Sequence, residues 1–212
     1  SDEATCPSDN LYRIIGVFDN QVKLIKATNY GNYAWDSGGS NTWDATTKPD
    51  IYTTLNGTYF GTLSSTWQNK IAAATWQVGG FPDTYYIDSL KTNYDYEVGA
   101  NQTGYEETMK IGLMYVSDYV YASSSNNWTS SLNGYGELTD PNEGWLYGQG
   151  DEWTVSRSSG YSYYAWCVFS DGILYSGLGV DNAYAVRPSF YLNSSVNYVS
   201  GSGTEADPFR IN

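Results

Sequence analysis

The residues in this chain best placed to do chemistry are rings and small polar groups. Ser158-Ser159-Gly160-Tyr161-Ser162-Tyr163-Tyr164 precedes a hairpin pattern, and Gly179-Val180-Asp181-Asn182-Ala183-Tyr184 follows it. Tyr, Ser, Gly and Asn together make the composition of a binding surface, in which rigid rings supply contact area and small polar groups supply adaptable hydrogen bonds. The competing reading is packing, since a buried Tyr is ordinary wherever its hydroxyl finds a partner.

Covalent chemistry has less to draw on. His is absent, which removes the commonest general base and the commonest zinc or copper ligand together. A serine nucleophile would then need a Lys base, and no Ser-x-x-Lys occurs. Paired carboxylates for glycoside cleavage stay open, because Asp and Glu are plentiful. The two cysteines are Cys6 and Cys167. A disulfide between them would tie the N-terminus to the C-terminal third in an oxidising compartment; it is left open, because it also demands close Cα atoms. No cofactor is expected, with structural calcium the one option: Asn93, Asp95 and Glu97 alternate and could offer oxygens. Asp140-Pro141-Asn142-Glu143 reads first as a turn and only second as a sugar site.

Charge narrows the partners. Lys and Arg number 10 against 23 Asp and Glu, for a net charge of −13. Nucleic acid and anionic membrane are disfavoured, since both need cations to neutralise phosphate. No run of about 20 apolar residues appears, so a membrane-spanning segment is not expected. The start at Ser1-Asp2-Glu3, without a visible signal peptide, reads as a mature or trimmed end. Asn-x-Ser/Thr triplets at Asn56, Asn101, Asn127 and Asn193 are within what chance supplies in so polar a chain.

The elements that position these groups fit one domain, or at most two small ones, given 212 residues. The 22 Tyr and 8 Trp exceed what its core needs, so some rings should be exposed. Tyr12 to Phe18 and Gln21 to Ala27 read as strands joined by an Asp19-Asn20 turn. A polar loop from Asn29 to Thr47 carries Trp35 and Trp43. Lys48 to Leu63 reads as a helix with Ile51, Leu55, Tyr59 and Leu63 on one stripe. Ser64 to Ala74 reads as a second, short helix capped by Ser64 or Ser65. Trp76 to Thr108 reads as strand fragments and loops, Lys110 to Val116 as a buried strand, and Tyr119 to Gly150 as loop. Trp153 to Ser156 is a strand. Ala165 to Phe169 and Ile173 to Ser176 form a hairpin around Ser170-Asp171-Gly172. Val186 to Leu192 is an edge or bulged strand because of Pro188, and Phe209 to Ile211 closes the chain. The class is α+β: antiparallel strands, two helices and long irregular loops.

Several stretches, taken in order, resemble a bacterial domain family of C-type-lectin-like fold. At the front these are Tyr12-Arg13-Ile14-Ile15-Gly16-Val17-Phe18, Lys23-Leu24-Ile25-Lys26, Ala34-Trp35-Asp36 and Leu55-Asn56-Gly57-Thr58-Tyr59. Further on come Ile111-Gly112-Leu113-Met114-Tyr115-Val116-Ser117-Asp118-Tyr119, then Ala165 to Gly172, Val186 to Leu192 and Gly201 to Ile211. The fold is shared by formylglycine-generating (sulfatase-modifying) proteins and by the variable proteins of diversity-generating retroelements. The resemblance implies one domain over residues 1–212, extracellular or cell-surface placement, and a recognition segment at about 157–187.

In that frame the protein is expected to bind a protein or glycan ligand on another cell or surface and not to be an enzyme. Alternation along the hairpin puts Trp166 and Val168 on one face and Cys167 and Phe169 on the other; the resemblance implies that the first face is the core, which turns Cys167 and Phe169 outward with Tyr175. The expected contact residues are Tyr161, Tyr163, Tyr164, Cys167, Phe169, Tyr175, Asp181, Asn182 and Tyr184. Arg187 reads as scaffold in need of a carboxylate partner, with anion binding as its alternative. Two further readings are a structural head domain of a pilus or surface polymer and a formylglycine-generating-type oxidase. The relatives with oxidase activity use a close pair of cysteines near the C-terminus, whereas here only Cys167 lies there.

Overall fold

The structure, a computed structural model, describes residues 11–80, 89–122, 146–204 and 206–212. Strands β1 (Tyr12–Phe18) and β2 (Gln21–Lys26) form the expected hairpin, with Phe18 opposite Gln21. Asp19 and Asn20 have φ of 48° and 63°. Two successive left-handed residues make a two-residue turn whose twist matches that of the strands, and Asp and Asn tolerate this conformation better than most side chains. Strand β3 (Gly31–Ala34) follows inside the polar loop.

The first helix, α1, runs over residues 50–62 as α-helical Asp50–Thr53, a π-helical stretch Thr54–Tyr59 and a last turn Phe60–Thr62. Ile51, Leu55 and Tyr59 are its buried stripe. A strict spacing of four overshoots the 3.6-residue turn of an α-helix, and the wider π turn compensates. Helix α2 (Ser65–Lys70) begins at Ser64, whose hydroxyl accepts the Trp67 N–H at 3.3 Å. It stops short of the expected Ala74. Ile71 forms a bridge with Leu192, and Ala74 opens strand β4 (Ala74–Gln77).

Two helices were not expected. Helix α3 (Leu90–Glu97) is capped by Ser89 and carries no clean apolar stripe. Helix α4 (Val116–Tyr121) starts where the expected Lys110 to Val116 strand should have ended. That stretch is buried but joins no ladder. Asn56 Oδ1 accepts from the Lys110 and Ile111 amides at 3.1 and 3.0 Å, Gly112 bridges Ser189, and the Met114 carbonyl accepts from Val155 at 3.0 Å. These backbone groups are paired one by one, which meets the same need as a ladder. Strand β5 (Glu106–Met109) pairs with β4.

The C-terminal half adds β6 (Glu152–Arg157), β7 (Tyr164–Val168), β8 (Leu174–Gly179), β9 (Ala183–Val186) and β10 (Ser189–Tyr191). One sheet has the order β3-β9-β6-β7-β8; a second has β1-β2-β10. The expected single strand Val186 to Leu192 is therefore two strands in two sheets. Arg187 and Pro188 make the crossing, where a residue without an N–H removes no ladder bond. Arg187 has its carboxylate partner: Nε donates to Glu152 Oε2 at 2.8 Å, and Nη2 donates to the Leu146 carbonyl. A terminal hairpin of β11 (Tyr198–Ser200) and β12 (Arg210–Ile211) ends the chain.

Two apolar cores lie on the two faces of β7. Trp35, Trp43, Trp76, Trp153 and Cys167 belong to one, and Met114, Val120, Trp166, Val168 and Leu174 to the other. The fold is α+β. Among the described residues no helix is long and apolar enough to cross a membrane.

Candidate functional site

The site is built on the β7–β8 hairpin and the loop before it. Strand β7 lies between β6 and β8, with Cys167 opposite both Trp153 and Tyr175. Ala165, Trp166, Cys167 and Val168 are all fully buried. This corrects the expectation that Cys167 points outward: strict alternation has an outside only when one face of a sheet is solvated, and here both are covered. Cys167 therefore cannot touch a ligand. Its thiol is free, and burial pushes its pKa up, which suppresses the reactive thiolate. Cys6 lies outside the described residues, as does Asp140 to Glu143.

The rings behave differently. Tyr161, Tyr163 and Tyr175 are 50%, 47% and 43% exposed, and Tyr164 is half-buried. Tyr163 and Tyr164 have ring centroids 4.2 Å apart, and Tyr161 stands 6.2 Å from the first and 5.8 Å from the second. Tyr175 stacks on half-buried Phe169 at 5.6 Å with a 20° interplanar angle. Its ring also lies over Gly177, where a Cβ would come within 2.9 Å of the Tyr175 hydroxyl. That direction carries the phenol toward Gly179, the residue opposite Tyr164. The Tyr164 phenol accordingly has a raised pKa, first through its interaction with Tyr163 and also through Tyr175 and Tyr161. Tyr161, Tyr163 and Tyr164 thus pack on one another, and Tyr175, stacked on Phe169, stands close enough to act on the Tyr164 phenol.

The tyrosine loop is held by a residue that the sequence did not single out. Asn41 is 1% exposed. Its Nδ2 donates to the carbonyls of Ser158 at 2.8 Å, Tyr161 at 2.7 Å and Tyr164 at 2.7 Å, and its own N–H donates to Ser162 O at 2.7 Å. Arg157 Nη1 donates to Asn41 Oδ1 at 3.4 Å, and the Ser158 hydroxyl accepts from Tyr161 N at 3.1 Å. A loop fixed at this many points presents its rings in one arrangement, which lowers the entropy lost on binding. No local pattern marks Asn41, because its partners lie more than a hundred residues away.

The remaining expected residues divide. Asp181 and Asn182 are exposed at the β8–β9 turn, but the Asn182 amide is occupied locally, donating to Gly179 O at 3.0 Å and Asp181 Oδ1 at 3.2 Å. Tyr184 is half-buried with its ring edge-on to Trp153 at 5.1 Å and 87°. It packs against the core and does not stack on the tyrosine surface. Among the described residues no group of three or more His, Cys, Asp or Glu could hold a metal ion. Asn93, Asp95 and Glu97 share helix α3, but Asn93 and Glu97 are buried while Asp95 pairs with Lys91 at 2.6 Å.

A concave feature elsewhere shares no residue with the tyrosine surface. It is an apolar groove of about 520 Å³ between the first and last hairpins, lined by Tyr12, Ile14, Leu24, Trp67, Leu192 and Phe209 among others.

No protein-family model, no curated protein and no solved structure matches this chain.

Proposed function

We propose that this chain is an extracellular binding domain of C-type-lectin-like fold that holds a protein or glycan ligand on its tyrosine surface. The observation that carries the reading is the mutual packing of Tyr161, Tyr163 and Tyr164 on a segment fixed by Asn41, with Tyr175 on the neighbouring strand β8, where Tyr161, Tyr163 and Tyr175 are 43–50% exposed. Rings that only filled gaps would be covered. Exposed, mutually packed and anchored rings offer area with little ordering cost. The α+β class and the order of the sequence stretches named above support the fold. A place among the variable proteins of diversity-generating retroelements is the narrower form of this proposal, and it draws on that order and on the position of the tyrosine segment. Burial of Cys167 counts against an oxidase of the formylglycine-generating type.

The test uses labelled protein on a glycan array and on panels of bacterial and host cells. Wild type is compared with a Tyr161→Ala, Tyr163→Ala, Tyr175→Ala variant of unchanged circular dichroism. Loss of binding by about tenfold or more is expected, since buried aromatic anchors dominate such interfaces. Equal binding by the two proteins removes the tyrosine surface as the site.

The second reading, a head domain of a surface polymer, draws on β1. It is an edge strand whose Ile14 and Val17 are 46% and 65% exposed beside the apolar groove. A second copy of the chain would be the occupant, since unprotected edges pair with other strands. Assembly that grows with concentration in sedimentation runs favours this reading, and a strict monomer discards it.

A further inference from the structure

Lys23 lies on β2 and is 1% exposed, in a box of four rings. Its Nζ sits 4.2 Å from the Tyr115 ring centroid, 4.8 Å from Trp76, 5.3 Å from Tyr191 and 5.7 Å from Phe18. The Nζ reaches Asp118 Oδ2 at 2.5 Å, and the Asp118 side chain is 4% exposed. Asp118 Oδ2 also accepts the Tyr115 N–H at 2.8 Å. A second buried carboxyl stands at the same helix start. Glu97, 1% exposed, accepts from the Val116 and Ser117 amides at 2.9 and 2.8 Å and from the Ser156 hydroxyl, and its charge is felt at Lys23.

This is more than a buried ion pair needs. Removing an ammonium and a carboxylate from water costs several kcal/mol per ion, and their attraction repays it only in part. Burial lowers the Lys23 pKa, which favours the neutral amine with a free lone pair. Burial raises the Glu97 pKa, which favours a carboxyl able to give and take a proton. The Tyr115 N–H polarises the carboxyl under attack, as an oxyanion donor does. The surrounding rings exclude the water that would reverse a condensation.

We propose that Lys23 and Asp118 condense spontaneously into an intramolecular amide, with Glu97 relaying the proton. The Lys23 Nζ lone pair forms a bond to Asp118 Cγ, and one Cγ–O bond breaks. From the ionic pair, the nitrogen gives up two protons and the carboxylate one oxygen, which leave together as water. No oxidant, reductant or further reactant takes part, and Glu97 ends as it began. The product replaces two buried charges with a neutral amide and ties β2 to α4 across 95 residues of chain. It is independent of the tyrosine surface and of its ligand.

The test is the intact mass of the purified 212-residue chain, denatured and reduced. We expect a mass one water below the sequence mass. Proteolysis should yield a branched peptide joining the segments of Lys23 and Asp118, with no tryptic cleavage at Lys23. Lys23→Arg and Asp118→Ala chains should show the full sequence mass, and Asp118→Asn should form the same branched peptide by losing ammonia instead. Wild-type protein at full sequence mass, cleaved by trypsin after Lys23 once unfolded, overturns the proposal and leaves an ion pair. A Glu97→Gln chain that still loses water overturns the relay assignment. Because the decisive reading is made on wild type, poor folding of a variant does not blunt it.

Discussion

The Asn41 amide donates to the carbonyl of Tyr161, 120 residues further along the chain, at 2.7 Å. With its bonds to Ser158 and Tyr164, this side chain sets the shape of the exposed tyrosine surface. Asn41→Ala should cost about 1–3 kcal/mol, because buried carbonyls lose their donors. Asn41→Asp should cost more, since an acceptor would then face three acceptors. Urea unfolding gives the first number, and faster chymotryptic cleavage after Tyr161 and Tyr163 in the folded variants reports release of the loop. Unchanged cleavage in both variants refutes the anchoring role.

Alanine at Tyr161 or Tyr163 should each cost under about 1 kcal/mol, because exposed rings lose little beyond their mutual contacts. Trp166→Ala, by contrast, should cost about 3–5 kcal/mol, since it empties a fully buried site. Denaturant midpoints for the three variants measure the contrast. Comparable losses at all three positions would make the tyrosines part of the packing.

Stability should fall as pH rises from 4.5 to about 7 through Glu152, whose carboxyl is pushed up to about 7 by burial and only partly held down by Arg187. In that window the folded protein keeps a proton that the unfolded chain gives up, so the contribution is whole below 4.5 and is lost as pH passes the folded value. The slope from one such group is at most about 1.4 kcal/mol per pH unit. Urea midpoints of wild type and Glu152→Gln should lie closest at low pH, where the protonated carboxyl and the amide are both neutral, and the wild type should fall away from the variant as pH rises, because only the wild type has a proton to lose. The net charge of −13 acts in the same direction on both proteins and cancels in the comparison. Parallel curves exclude Glu152 as the source.

Gly112→Ala should destabilise by about 1–3 kcal/mol through overpacking. A Cβ there would stand 2.5 Å from Cζ3 of Trp76, which is wholly buried. The backbone cannot retreat easily, because Gly112 and Ser189 exchange hydrogen bonds of 2.8 and 2.9 Å. Thermal unfolding checks the size, and loss of tryptophan near-ultraviolet dichroism in the folded state checks the cause. A variant as stable as wild type would show that Trp76 has room to move.

The sequence alone determined those features whose causes are local. The Asp19-Asn20 hairpin follows from two residues that tolerate the left-handed region, the stripe of α1 from four-residue spacing, and the start of α2 from Ser64. The tyrosine-rich segment was legible as a surface because its composition exceeds any core's need. Only the tertiary structure decided the rest. Alternation along β7 does not reveal that both faces are covered, which is why Cys167 is buried rather than outward. Nothing near Pro188 said that the chain changes sheets there rather than bulging within one. Asn41 and Lys23 look like ordinary polar residues until partners 120 and 95 residues away surround them. Local propensities act over a turn or two of chain, whereas burial and pairing depend on which distant segments the fold brings into contact.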